Sequence, residues 1–182
     1  KKVIKAPVFD SRNAQSGSFF LALRGERDGH DFVGDAIEHG AEFALTSRKV
    51  EFDCIVVEDV LVALGKLAAY VREKLFDLKV IGITGSQGKT TTKDLLQHML
   101  ESLAPTVSPI NSFNNELGAP LNLLNCDEKT KFCIAELGAR HSGDIKRLSG
   151  IVKPDIGVVL KVGLLTLPNL GLSKISRAPR KS

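Results

Sequence analysis

The chain of 182 residues is 43% hydrophobic, which suffices for one large domain or two small ones. It has no apolar run long enough to cross a bilayer and no signal-peptide pattern, so we expect no membrane insertion. The net charge of +4 does not indicate nucleic-acid binding. Six basic residues and one acid lie in 151–182, which leaves 19 basic and 20 acidic residues elsewhere.

The three cysteines show no spacing typical of a zinc site or a redox motif. Cys54 and Cys133 lie in apolar runs, where a thiol acts as a small hydrophobic group, and Cys126 lies in a polar loop. Free thiols of this kind fit a reducing compartment. We therefore expect a cytoplasmic protein, and we expect it to be a monomer.

The first part of the chain has the pattern of a small α/β unit. Apolar runs predict strands at 19–23, 43–46 and 54–57. A short helix is predicted at 31–39, between Asp31 as its cap and Gly40 as its stop. A longer helix over 60–76 is predicted by apolar residues at helical spacing, namely positions 60, 64, 67, 68, 71 and 75.

Two polar loops flank the first of these strands. One contains Asp10, Ser11 and Arg12, and the other covers 24–31 with two arginines. Arginine together with serine suits the phosphates of a nucleotide. Ordinary turn chemistry explains the same residue types equally well, so the pattern alone leaves both interpretations open.

The segment that follows predicts a phosphate-binding loop between a strand and a helix. The apolar run 80–84 leads into the loop, whose nucleotide-binding residues we expect to be Gly85, Ser86, Gln87, Gly88, Lys89, Thr90 and Thr91. The glycines let consecutive backbone N–H groups point at an anion, and the helix adds its positive dipole end. The lysine provides a charge for the outer phosphates, and the first threonine is placed to bind Mg²⁺.

This loop departs from the general pattern, which has glycine at the position of Ile83. The alternative interpretation is a simple glycine turn with a solvated Lys89. We favour nucleoside triphosphate binding, because strand, loop, lysine-threonine pair and helix all coincide.

Beyond the loop, strands again alternate with helices. A helix is predicted at 91–103, with Leu95, Leu96, Met99 and Leu103 on one face, followed by strands at 132–136 and 156–160 and a helix near 143–148. This order predicts an α/β protein with a mainly parallel sheet in its central, phosphate-loop domain. The polar joint at 77–79 predicts a boundary between domains 1–78 and 79–182.

Further polar residues are predicted beside the phosphate loop. Glu136 closes a buried strand, and the carboxyl ends of parallel strands gather functional groups. We expect it to hold Mg²⁺ together with Thr90, although a turn-capping role is the alternative. The amides of Asn114 and Asn115 precede a glycine and a proline, a pattern that by itself indicates a turn into a helix.

These motifs resemble the Mur ligase family, which builds the peptide stem of bacterial peptidoglycan. The likeness runs from about position 8 to 159. It includes the Asp-Ser-Arg motif at 10–12, the segment 25–32, the phosphate loop, the Asn-Asn-Glu-Leu-Gly-Ala-Pro segment at 114–120 and the Glu-Leu-Gly at 136–138. The segments 25–32 and 114–120 are most similar to the members that add D-Ala-D-Ala. A folate polyglutamate ligase or a non-catalytic nucleotide-binding module are the alternatives.

The resemblance implies an ATP-dependent amide ligation. ATP would phosphorylate the free carboxylate of UDP-N-acetylmuramoyl-tripeptide, and the amine of D-Ala-D-Ala would then displace phosphate. It assigns Ser11 and Arg12 to the nucleotide sugar, and it places Asn114 and Asn115 in the cleft beside ATP. Lys89 and Glu136 would be the catalytic residues, with ATP and Mg²⁺ as the cofactors.

The chain also departs from the family near its end. Members carry a third domain, and after the strand near 159 they show a histidine and a modified lysine. Here Thr166 stands at the position of the histidine, and Pro179 stands near that of the lysine, with Lys181 a poor substitute. We therefore expect a truncated chain that does not complete the reaction by itself.

Overall fold

The computed structural model describes residues 4, 6–109 and 115–163. Two four-stranded parallel sheets and five α-helices form this part of the chain. The elements in chain order are β1 (Pro7–Val8), β2 (Phe19–Leu21), α1 (Val33–Glu38), β3 (Ala44–Thr46), β4 (Cys54–Val56), α2 (Val60–Lys74), β5 (Lys79–Thr84), α3 (Lys89–Glu101), β6 (Thr106–Val107), α4 (Gly118–Leu124), β7 (Phe132–Glu136), α5 (Asp144–Val152) and β8 (Ile156–Val159).

The first sheet has the strand order β1-β2-β3-β4 and is covered on both faces. Phe20 lies on the face that packs against Val33 and Ala36 of α1. Phe19 and Leu21 point to the opposite face, which packs against α2 and α4. The alternation follows from the pleat of a strand, and coverage on both faces explains why the strand is apolar throughout.

The second sheet has the order β6-β7-β5-β8, with α3 on one face and α4 and α5 on the other. Ile81 and Ile83 of β5 pack toward α3, whereas Val80 packs toward the helices of the other face. Helix α2 belongs to both cores, because Leu64 packs with the first sheet and Ala68 with the second. The two sheets therefore share a helix. The expected α/β architecture with parallel sheets is confirmed.

The entry into α1 differs from the prediction. The segment predicted as a helix over 31–39 begins as a 3₁₀ turn at Gly29–Phe32 and only then becomes α-helical. Asp28 rather than Asp31 caps this turn, since its carboxylate accepts the N–H of His30 at 3.0 Å. Asp28 is also held by the ring of His30, two residues farther along, which favours the earlier cap.

Other differences concern short elements and exposure. Strands β1 and β6 have two residues each, too few for a periodic pattern to predict them. Of the apolar residues predicted on one face of the helix after the loop, Leu96 packs on the core, whereas Leu95, Met99 and Leu103 are 63–74% exposed. Cys126, predicted in a polar loop, is buried. None of the described helices is long and apolar enough to span a membrane.

Candidate functional site

The phosphate loop leaves the carboxyl end of β5 and turns directly into α3. Gly85 has a φ of 144° and Gly88 a φ of 85°, a region that strongly favours glycine. A Cβ at Gly85 would also lie 2.8 Å from the Cβ of Leu160. Within the described residues, no side chain caps the start of α3. Its first N–H groups are therefore available to an anion.

The loop is held from both ends. The Lys89 ammonium donates to the carbonyl oxygen of Gly85 at 2.9 Å and so closes the loop upon itself. The N–H of Ser86 donates to the carbonyl of Lys161 at 2.9 Å, and its Oγ accepts the N–H of Gly163 at 2.7 Å. These contacts tie the loop to the chain that follows β8. Lys89 is only half-buried, so its ammonium can exchange a neutral carbonyl for a phosphate oxygen.

A carboxylate lies beside the start of α3. Strand pairing places Glu136 opposite Ile83, one residue before the end of β5, and Glu136 is only 2% exposed. The Thr90 hydroxyl approaches a carboxylate oxygen of Glu136 at 3.5 Å. No group of three or more histidine, cysteine or acidic residues with metal-binding geometry occurs in the described part. One carboxylate and one hydroxyl fit Mg²⁺, which keeps several waters and takes further oxygens from phosphates.

The asparagine segment forms the entry to α4. The Asn115 side-chain oxygen accepts the N–H groups of Leu117 and Gly118 at 3.2 and 3.0 Å. It therefore fixes the turn that leads into α4, and Asn115 also lines two of the cavities described below. Asn114 lies outside the described residues.

The predicted nucleotide-sugar residues line a separate cavity of about 630 Å³ at the edge of the first sheet. Arg12 donates to both carboxylate oxygens of Asp10, at 2.9 and 2.6 Å. These hydrogen bonds lower the pKa of Asp10 to about 2. Arg24 and Arg27 line the same cavity, and neither forms an ion pair with another described residue. The sequence had indicated these two arginines as suited to a phosphate, with ordinary turn chemistry as the open alternative.

His30 is the main residue that sequence reasoning missed. Its ring is almost fully buried, and Nδ1 lies 2.6 Å from a carboxylate oxygen of Asp28. Nε2 accepts the N–H of Ser47 at 3.0 Å, so Nδ1 carries the proton and donates to Asp28. Hydrogen bonds from the His30 backbone and ring hold the pKa of Asp28 well below its usual range. Only its position inside the motif Asp-Gly-His-Asp could have indicated this role.

Three neighbouring cavities between the two sheets share lining residues. The 630 Å³ cavity shares Leu23 and Arg24 with a second cavity of about 400 Å³. The second shares Asn115 and Glu116 with a third of about 140 Å³, which is also lined by Gly138, two residues beyond the end of β7. Ser11 and Arg12 thus line the first of these cavities, and Gly138 of the third lies two residues after Glu136, whose carboxylate meets the Thr90 hydroxyl.

The chain matches two family models. Residues 4–76 match the Mur ligase family catalytic domain and residues 83–164 match the Mur ligase middle domain. The UDP-N-acetylmuramoyl-tripeptide--D-alanyl-D-alanine ligase of Mycobacterium tuberculosis H37Rv is 41% identical over 199 residues, covering 96% of this chain and 39% of that protein. The enzyme of the same name from Escherichia coli K12 is 33% identical, covering 96% and 39%.

Solved structures of similar proteins have the same fold as this chain. MurF from Acinetobacter baumannii superposes with a TM-score of 0.82 at 43% identity, covering 92% of this chain and 38% of that one. MurF from Thermotoga maritima in complex with ADP gives 0.78 at 36% identity, covering 90% and 39%. The chain thus spans about two fifths of the length of these relatives. The resemblance seen in the motifs is confirmed, and the chain belongs to the Mur ligase family.

Proposed function

We propose that the chain supplies the nucleotide-binding and nucleotide-sugar-binding parts of an ATP-dependent ligase that joins D-Ala-D-Ala to UDP-N-acetylmuramoyl-tripeptide. The observation that carries this proposal is the pairing of an open loop at the start of α3 with the buried Glu136, two residues before Gly138, which lines the third cavity. The names of the relatives, which cover nearly the whole chain, support the choice of substrates.

ATP is the proposed ligand of the phosphate loop. The residues Gly85–Thr91 would surround its β- and γ-phosphates, with Lys89 leaving the Gly85 carbonyl to bind them. Thr90 and Glu136 would hold Mg²⁺, which neutralises charge that develops on the transferred phosphoryl group. The tripeptide carboxylate attacks the γ-phosphorus, which yields an acyl phosphate and ADP. The amine of D-Ala-D-Ala then displaces phosphate and forms the amide.

UDP is the proposed ligand of the cavity at the first sheet. Ser11 and Arg12 line that cavity, but Arg12 already has its charge balanced by Asp10. Arg24 and Arg27 therefore supply the positive charge that a diphosphate needs. We place the division between the two functional parts at 78/79, so that 1–78 binds the nucleotide sugar and 79–182 binds ATP.

The remaining assignments follow from this arrangement. Asn114 and Asn115 would contact the peptide between the two nucleotide sites, where Asn115 lines two cavities. ATP and the UDP-linked peptide are both water-soluble, and we propose a cytoplasmic monomer. Thr166 and Pro179, which stand where the family has its histidine and modified lysine, and Lys181 all lie outside the described residues, so no second Mg²⁺ site is assigned to this chain.

The test is a calorimetric titration of the chain with ATP, in the presence of Mg²⁺ and in the presence of a chelator. Glu136→Gln keeps the size of the side chain and removes its charge. We expect it to weaken ATP binding when Mg²⁺ is present and to leave binding unchanged in chelator. Glu128→Gln, at an exposed turn, is the matched control.

A second titration uses UDP-N-acetylmuramic acid. Arg24→Met should weaken this ligand and leave ATP binding intact, because the two sites are separate. An equal loss of ATP affinity with and without Mg²⁺ in Glu136→Gln would contradict the metal assignment. Absence of any binding of the UDP sugar to the wild-type chain would contradict the nucleotide-sugar assignment.

A further inference from the structure

The smallest of the three neighbouring cavities carries an unusual set of charges for its size. It measures about 140 Å³ and is lined by side chains of both signs, namely Glu116, Arg140, Asp144 and Arg147. A volume of this order admits one small polar group and no nucleotide. A ligand group that carries one positive and one negative charge would therefore complement this cavity.

Three of the charged side chains in this cavity are paired with one another, and the fourth, Arg140, is not. Arg147 donates to Glu116 at 2.6 Å and to Asp144 at 3.2 Å, so one guanidinium bridges two carboxylates. The Arg140 guanidinium makes no hydrogen bond or ion pair with any other described residue. Its backbone N–H, in contrast, is held by Asp144 at 3.0 Å. The cavity thus offers one uncommitted cation beside a carboxylate pair.

Asp144 fixes this arrangement. Its second carboxylate oxygen accepts the N–H groups of both Arg140 and His141, which closes the turn between β7 and α5. These backbone hydrogen bonds, with help from the charge of Arg147, lower the pKa of Asp144. Asp144 is consequently ionised at neutral pH, and the turn that carries Arg140 has a defined position.

Replacing the Arg147–Glu116 ion pair by contacts with a ligand requires little free energy. The side chains of Arg147 and Glu116 are 55% and 42% exposed, and exposed ion pairs contribute little net stability. A ligand carboxylate can bind between Arg140 and Arg147, while a ligand ammonium takes over Glu116. Both substitutions keep every charge paired.

We propose that this cavity binds a zwitterionic amino-acid group of the peptide substrates, with its carboxylate against Arg140 and Arg147 and its ammonium against Glu116. The proposal rests on the function proposed above and assigns a subsite to it. Two of the proposed substrates contain such a zwitterionic group. One is the side-chain end of diaminopimelate as the third residue of the tripeptide, and the other is free D-Ala-D-Ala.

The position of the cavity favours the first source. The reacting carboxyl belongs to the third residue of the tripeptide, and it must reach the phosphate loop near Glu136. The cavity begins at Gly138, two residues farther along the same segment. A side chain attached to the reacting residue therefore has this cavity within reach. Diaminopimelate carries ammonium and carboxylate on one carbon, which suits charges as close as those joined by Arg147.

The experiment compares two tripeptide ligands by calorimetry on the full chain. One is UDP-N-acetylmuramoyl-tripeptide with diaminopimelate and the other is the same molecule with lysine, which lacks the side-chain carboxylate. We expect the diaminopimelate form to bind about tenfold more tightly, the scale of one charge-assisted contact at a part-exposed site. Arg140→Met should abolish this difference and leave the lysine form unaffected. Lys146→Met, an exposed change of the same charge on α5, should preserve it.

Free D-Ala-D-Ala is titrated separately to distinguish the two sources. Binding of the dipeptide that is lost in Arg140→Met, with equal affinity for both tripeptides, would support the site and identify the dipeptide as its ligand. Equal tripeptide affinities together with no Arg140-dependent dipeptide binding would overturn the proposal. UDP-N-acetylmuramic acid, which has no peptide, distinguishes failure of the subsite from failure of the nucleotide-sugar assignment. Its binding shows that the nucleotide-sugar assignment stands even if the subsite fails, and a chain that binds none of these ligands overturns both.

Discussion

The two sheets present their polar residues in different ways. In the second sheet, the phosphate loop is a single run of seven residues, and its lysine contacts a carbonyl four positions earlier. In the first sheet, the buried His30 joins Asp28 to Ser47, which lies 17 residues away in the turn that follows β3. The first arrangement is local and the second is not.

This difference shows two ways in which a fold brings polar groups together. A phosphate loop needs glycines with positive φ and the start of a helix, and both are properties of one short segment. The arginine loop beside the cavity of the first sheet is held by buried hydrogen bonds that reach the turn after β3. That part depends on the packing of the sheet, so its function should be more sensitive to changes far from the ligand.

The largest expected effect tests whether the two regions are energetically separate. Leu64 of α2 is fully buried in the core of the first sheet, and Leu64→Ala should cost about 2–5 kcal/mol of unfolding free energy. Because α2 also packs on the second sheet, hydrogen exchange should accelerate in both β2 and β5. Leu67→Ala, at a position 38% exposed on the same helix, should cost clearly less. Acceleration confined to β2 would show that the regions unfold independently.

The next largest effect concerns the phosphate loop of the second sheet. Lys89→Met should weaken Mg-ATP binding by about 2–4 kcal/mol, because it removes a charge-assisted contact with phosphate. Binding of UDP-N-acetylmuramic acid should not change. Calorimetry with both ligands measures this split, and Lys129→Met at an exposed turn is the control. Unchanged ATP affinity in a folded variant would remove the basis for the phosphate-loop assignment.

A smaller effect tests why the loop requires glycine. Gly85→Ala introduces a Cβ at a φ of 144° and 2.8 Å from Leu160, so we expect about 1–3 kcal/mol of destabilisation. Gly88→Ala is the matched comparison, since its Cβ would lie 3.7 Å from the same leucine and meets backbone strain alone. Urea unfolding should rank Gly85→Ala as the more damaging change. The reverse order would mean that contact with Leu160 is not what fixes the loop.

The smallest effect concerns pH and the first sheet. The pKa of Asp28 is lowered in the folded chain, so its ionised form stabilises the fold above the ordinary aspartate pKa of about 4. This contribution is lost as the pH falls through the lower, folded-state pKa. Urea midpoints should therefore drop less between pH 5 and about pH 2 in Asp28→Asn than in the wild type. Asp53→Asn, an exposed carboxylate without a hydrogen bond to other described residues, should retain the wild-type slope.

Much of the fold could be predicted because it depends on short-range patterns. The runs that became β5 and β7, and the spacing that became α2, are set by apolar periodicity over a few residues. The two-residue strands β1 and β6 could not be predicted, because they exist only through pairing with β2 and β7. The same holds for the 3₁₀ turn before α1, whose cap depends on the buried His30.

The sequence by itself determined the alternation of strands and helices and the family, and it predicted the phosphate loop, since each rests on residue types at fixed local spacing. The tertiary structure decided which distant polar groups meet. It placed Thr90 against Glu136, 46 residues later, and Arg147 against Glu116, 31 residues earlier. Such contacts follow from sheet order and helix packing, whose free energy is summed over many non-local contacts and leaves no mark in a short segment.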